Sequence, residues 1–238
     1  GSLQFGRVVE QKPDRGPSMK RLYIVVEGDT EEEFVKTLLR PYFQSFGIYS
    51  VDATKITTNR KLSKKGGFVN YEHLRSDIKR LLRQPNVIVS MFVDFYALPD
   101  SVPGYEVARR KNGTEEQIKV LENAMFEDID DHRFLPYIQR HEFESLLFAS
   151  SAGFERYYAQ QKDVMTGLER IFNAFNNPED IDDGRETAPS KRILSIIPDY
   201  EKVVFGNIIA LEIGLSTMLT KCPRFNYWLT RLIGKTTL

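Results

Sequence analysis

The sequence is short of three things: cysteine, histidine and net charge. Its 238 residues hold one cysteine, Cys222, and three histidines, His73, His132 and His141. That excludes a disulfide framework and a zinc site built on cysteine or histidine, and a lone thiol suits a reducing compartment. Lysine and arginine together number 33, as do aspartate and glutamate. No global field therefore draws in nucleic acid, and any such binding has to use a local basic patch. No apolar run approaches the roughly 20 residues that span a bilayer. The N-terminus has no signal-peptide apolar stretch, so a soluble cytoplasmic protein is expected. A P-loop ending in Gly-Lys-Ser/Thr is absent, as is a G-x-S-x-G elbow. Any use of ATP would belong to a partner.

What is present centres on Leu22 to Val35. The run Leu22-Tyr23-Ile24-Val25-Val26 is short, β-branched and aromatic, and reads as a buried strand ending at Glu27-Gly28. Thr30 and Glu33 have the spacing of a capping box opening an amphipathic helix. Glu27 then lies at the carboxyl end of a core strand, where open α/β sheets place their ligands, with Glu31 in the first turn beside it. A second apolar run, Val87 to Val93, ends in Asp94. Together Glu27, Glu31 and Asp94 would make an acidic cluster. Like charges about 5 Å apart repel by roughly 3 kcal/mol per pair at an effective dielectric near 20. A divalent cation reverses that sign, and all-oxygen donors favour Mg²⁺ or Mn²⁺. The plain alternative keeps Glu27 and Asp94 as strand-end turn residues and Glu31 as a charge favourable to a helix N-terminus.

The stretches VEGDTEEEFV, FVDFYALP, PYIQRHEFESLLF, APSKRI and CPRFNYWL, spread from Lys20 to Leu232, carry a resemblance. A glutamate-glycine after the first strand with an acid ending a later strand resembles the Toprim domain of topoisomerases, primases and related nucleases. More narrowly, the set resembles a bacterial Toprim-like family, domain of unknown function 4276. That family's site is similar to the overcoming-lysogenisation-defect (OLD) nucleases. The resemblance implies a Mg²⁺- or Mn²⁺-dependent nuclease acting on DNA or RNA. It further implies a role in anti-phage defence beside an AAA-type ATPase partner. Glu27 would be general base or metal ligand, and Asp94 and Glu31 would be ligands. Where the Toprim pattern has Asp-x-Asp, this chain has Asp94-Phe95-Tyr96. Tyr96 would then bond a phosphate or water, or simply pack over the sheet edge. Glu144 or Glu142 is a candidate for the missing ligand.

The rest of the chain is less pointed. Residues 1–18 look like a linker or expression remnant. Val51 to Thr57 reads as a weaker strand, Tyr71 to Arg83 as a crossover helix, and Phe134 to Gln139 as a fourth strand. Lys61, Lys64 and Lys65 sit in a Gly-containing basic loop, and Arg109 and Arg110 form a second basic cluster; both are candidates for phosphate-backbone contact or are ordinary solvated loops. If Arg140 to Phe148 is helical, Phe143, Leu146 and Leu147 share one face and His141, Glu144 and Ser145 the other. His141 would then be a proton shuttle, or a cap or surface residue. Ser190 is a candidate N-cap, and Lys191 and Arg192 would reach a phosphate or stay on a helix surface. Gly206 to Lys221 reads as one apolar helix.

The expected fold is a Toprim-like parallel α/β core over residues 19–150, with a mostly helical part, 151–238, packed on it. A homo-oligomer is left open. The rival function is a catalytically silent Toprim-like interaction module of an ATPase complex.

Overall fold

The structure, a computed structural model, describes residues 20–57, 70–182 and 184–237. The expected remnant and the basic loop with Lys61, Lys64 and Lys65 lie outside the described residues.

β1 (Arg21–Val26) and β3 (Val87–Asp94) form the centre of an all-parallel sheet. β2 (Val51–Lys55) flanks β1, and the two-residue strands β4 (Phe134–Leu135) and β5 (Ile138–Gln139) follow one another along β3. Every residue of β3 is buried, as near-continuous apolar runs are when both faces of a parallel sheet are covered. Alternation divides the two central strands between two cores. Leu22, Ile24, Val26, Ile88 and Phe92 face one side with Trp228 and Phe225. Val25, Val87, Val89, Met91 and Val93 face the other, against α3 (Tyr71–Leu82) and α5 (Thr114–Ile129).

The first core extends without a break from β1 to α11 (Pro223–Thr237) and includes residues of α6 (Ala152–Tyr158), α7 (Lys162–Ala174), α8 (Pro189–Ile196), α9 (Asn207–Ile213) and α10 (Leu215–Lys221). α11 is tied down from afar. The buried Glu179 carboxylate accepts hydrogen bonds from the backbone N–H groups of Arg224 and Phe225, two otherwise unpaired donors of the first turn. Trp228 Nε1 donates to Ser90 Oγ, which in turn donates to the Leu135 carbonyl.

Several local expectations are corrected. The Thr30–Glu33 capping box does not form: Gly28 is the N-cap of α1 (Asp29–Phe34), without a side-chain cap, and Thr30 is buried inside the helix. That helix continues through a π-helical turn, Val35–Leu39, into α2 (Arg40–Ser45), passing Pro41. Proline brings no N–H and crowds the preceding turn, a defect that a widened turn absorbs. The single fourth strand is two, parted at Pro136, which cannot donate to a ladder. The basic cluster of Arg109 and Arg110, read as a possible loop, directly follows the one-turn helix α4 (Tyr105–Ala108). Ser190 is inside α8 rather than its cap. The long apolar helix breaks at Gly214, whose φ of 78° is a left-handed conformation, and the two pieces meet at 83°. Among the described residues no single helix is long and apolar enough to cross a membrane.

Candidate functional site

β1 and β3 run parallel in the register Val26–Phe92, so Glu27 and Asp94 leave the sheet at the same edge. The backbone N–H of Asp94 is close enough to the Glu27 carboxylate to favour its ionised form. Asp94 Oδ1 accepts a hydrogen bond from the Phe143 N–H, at 2.8 Å. This ties the strand end to a 3₁₀ segment, Phe143–Ala149, all of whose residues are buried. Glu144 enters from that segment and Glu31 from α1. Glu144 Oε1 is buried without a hydrogen-bond partner among the described residues, while Glu31 Oε1 and Glu144 Oε2, which also lack a hydrogen bond there, face a cation.

At the centre is a residue that the sequence reading passed over. Lys202, at the start of a π-helical segment, Lys202–Gly206, places Nζ 3.0 Å from Asp94 Oδ2, 3.2 Å from Glu31 Oε1 and 3.5 Å from Glu144 Oε2. One ammonium thus faces three carboxylates, with Glu27 close enough to feel it. Burial opposes the ammonium's charge, but Asp94, Glu144 and Glu31 outweigh it and hold Lys202 well above the ordinary lysine range. The carboxylates are under-compensated. Burial first, then the charges of Asp94 and Glu31, pushes Glu27 up to about 8. Burial likewise raises Asp94 to about 7 and Glu144 to about 8, with Lys202 pulling both back.

The donors are hard oxygens with unused lone pairs, which is the chemistry of a Mg²⁺ or Mn²⁺ site. Among the described residues, however, no three His, Cys, Asp or Glu side chains are set out as a ready ligand cage. The place where a cation would neutralise these acids is taken by the Lys202 ammonium.

The structure thus brings together Glu27, Glu31, Asp94 and Glu144. The other candidates lie elsewhere. His141 is not on a helix face; it precedes the 3₁₀ segment with φ of 63°, its Nδ1 3.1 Å from Asp182 Oδ2 and its ring 5.8 Å from that of Tyr96. Burial and the charge of Arg140 lower its pKa, while the Asp182 carboxylate pulls it the other way. Glu142 is engaged with the backbone N–H of Ser190. Tyr96 is half-buried in the 3₁₀ turn Phe95–Ala97 after β3, and its N–H donates to the His141 carbonyl. Arg192 donates to the Thr187 carbonyl and covers the Phe175 ring. Lys191, Arg109 and Arg110 are exposed.

No sequence pattern pointed to Lys202. It lies 108 residues from Asp94, and its only signal is that an acidic cluster needs a counter-charge.

A family described as "Domain of unknown function (DUF4276)" matches residues 26–233. Among solved structures, the chain is similar to the C-terminal region of the Xanthomonas campestris pv. campestris OLD protein. The mercury-phased form is 15% identical with a TM-score of 0.45, over 90% of this chain and 97% of that one. The platinum-phased form is 16% identical with a TM-score of 0.46, over 91% and 92%. No curated protein matches.

Proposed function

The chain belongs to the DUF4276 family, and we propose that it is a metal-dependent nuclease of Toprim type that hydrolyses phosphodiesters. One observation carries the reading: four carboxylates from three parts of the chain gather around Lys202, and Glu144 Oε1 is buried with no hydrogen-bond partner among the described residues. A structural ion pair needs one acid per base, whereas this group has an excess of acid that retained protons or a further cation would satisfy. Glu27, Glu31, Asp94 and Glu144 would hold Mg²⁺ or Mn²⁺, which when bound supplies a Lewis acid for water and phosphate.

The chain's own groups do the rest. The Glu27 carboxylate, ionised when a cation is held beside it, would take the proton of the attacking water as the water oxygen bonds to phosphorus, and the opposite P–O bond would break with the leaving oxygen taking a proton from solvent. Lys202, whose side chain keeps 36% of its surface exposed, presents its ammonium to the charge gathering on the phosphoryl oxygens. The exposed Arg109, Arg110 and Lys191 supply local attraction for a backbone of phosphates in a chain of zero net charge. The motif resemblance supports an anti-phage effector working with an AAA-type ATPase, in which ATP hydrolysis is the partner's.

The same Lys202 favours a second reading, a silent interaction module, because its ammonium already neutralises part of the cluster. Supercoiled plasmid and total tRNA, incubated with Mg²⁺ or Mn²⁺ and with EDTA, separate the two. Metal-dependent cleavage that falls to background in Glu27→Gln and Asp94→Asn, but persists in the exposed control Glu169→Gln, is expected. Wild-type protein that cleaves neither substrate and gains no thermal stability from either ion would leave only the module.

A further inference from the structure

Next along the chain from the acid cluster is a recess that the hydrolytic site does not use. It has a volume of about 190 Å³ and is lined by Phe95, Tyr96, Leu98, Tyr105, Arg109 and Arg185, among others. It starts one residue beyond Asp94, since Phe95 and Tyr96 continue β3 into the 3₁₀ turn. Its walls are three half-buried aromatic rings. Phe95 and Tyr96 stand 5.7 Å apart at 47°, so they form two inclined sides rather than a closed stack. The Arg185 guanidinium lies 5.8 Å from the centre of the Tyr96 ring. Among the described residues Arg109 pairs only with Glu106, at 3.5 Å, where both side chains are more than half exposed, a contact easily exchanged for another anion. Among the described residues, no aspartate or glutamate lines the recess.

We propose that this recess is a subsite for one unstacked nucleobase, so that the site acts on single-stranded nucleic acid or on an unpaired nucleotide beside the scissile phosphate. The proposal rests on the nuclease reading for the bond that is cut, but not for the binding itself. Aromatic faces accept any base by stacking, and guanidiniums add cation–π contact and a counter-charge for the adjoining phosphate. A recess of this size takes one planar ring system. A base in a duplex has both faces covered by its neighbours and reaches such a recess only after it is turned out of the stack. Tyr96 is thus a binding wall where a Toprim-type acid was expected.

Equilibrium binding of a short fluorescent single strand and of the same sequence as a duplex, measured in EDTA, tests this without requiring turnover. The expected result is at least tenfold tighter binding of the single strand. Tyr96→Ala and Arg185→Ala should each weaken it about tenfold, Tyr96→Trp should restore it, and duplex binding should stay unchanged. A 2-aminopurine in the strand should be quenched by wild type and not by Tyr96→Ala. Arg185 is exposed, so its variant stays informative if Tyr96→Ala folds poorly. Equal affinity for strand and duplex, or wild-type binding by both alanine variants, overturns the subsite. Cleavage that depends on Glu27 and Asp94 without a Tyr96-dependent strand preference removes the subsite alone. Strand preference without any cleavage keeps the subsite and removes the nuclease.

Discussion

Lys202 holds together a group of side chains that would otherwise repel one another. Its Nζ is within 3.5 Å of Asp94, Glu31 and Glu144 oxygens, and Asp94 spends its other oxygen on the Phe143 N–H. Removing one partner of a fully buried pair costs about 3–5 kcal/mol, but the partial exposure of Lys202 reduces this. Lys202→Met should therefore destabilise the metal-free protein by about 2 kcal/mol, a fall in Tm of roughly 4–8 °C for a chain of this length. Mg²⁺ should then raise the melting temperature of the variant more than that of wild type, because the ion takes over a charge that the lysine supplied. Thermal melts in EDTA and in Mg²⁺ measure both. A variant as stable as wild type in EDTA would mean that the acids do not need the ammonium.

Among the elements, α6 and α9 pack closely. A Cβ built on Gly153 of α6 would fall 2.7 Å from both Cγ2 and the carbonyl oxygen of Ile209 on α9. Backbone cannot yield as a flexible side-chain tip does. Gly153→Ala should cost about 1–3 kcal/mol by overpacking, despite alanine's better helix propensity. A denaturant titration that finds the variant equal to or more stable than wild type would show that the two helices can part. Their spacing bears on the site. Asn207, at the start of α9, donates to the Thr30 carbonyl of α1 at 3.1 Å, and α9 follows directly from the Lys202–Gly206 segment. Displacing α9 therefore displaces both Lys202 and the helix carrying Glu31, so cleavage should fall with stability.

For the molecule as a whole, the cluster imposes a pH dependence. In the native fold Glu27, Asp94 and Glu144 keep protons up to about 8, 7 and 8. Unfolded, they release them near 4.5, 3.8 and 4.5. The native state then binds more protons than the unfolded one, and stability falls as pH rises through this window. Lys202, held above its ordinary value, stays charged throughout. Below about pH 6.5 the lowered His141 works in the opposite sense, since it stays neutral when folded and charges when unfolded. The clean interval is thus from about pH 6.5 to 8. Calorimetry in EDTA should show the melting temperature falling across it, less steeply in Glu27→Gln and less steeply with Mg²⁺, which binds the ionised form. A melting temperature that rises across that interval in EDTA would contradict the burial of these acids.

Leu22 to Glu27 and Val87 to Asp94 were legible without coordinates, because a β-branched run with an abrupt acidic end has few other meanings. From them follow the parallel sheet, its flanking helices and the meeting of Glu27 with Asp94, all consequences of local periodicity and of the rule that parallel strands end on the same side. The capping box at Thr30, the unbroken fourth strand and the single helix from Gly206 to Lys221 failed. Each depended on a choice that propensity leaves nearly balanced and that Gly28, Pro136 and Gly214 tipped in three dimensions. Lys202 at the centre, Glu179 on the first turn of α11 and Arg185 against Tyr96 were decided only by tertiary packing. A charge is drawn to its counterpart through space, and separation along the chain carries no trace of that attraction.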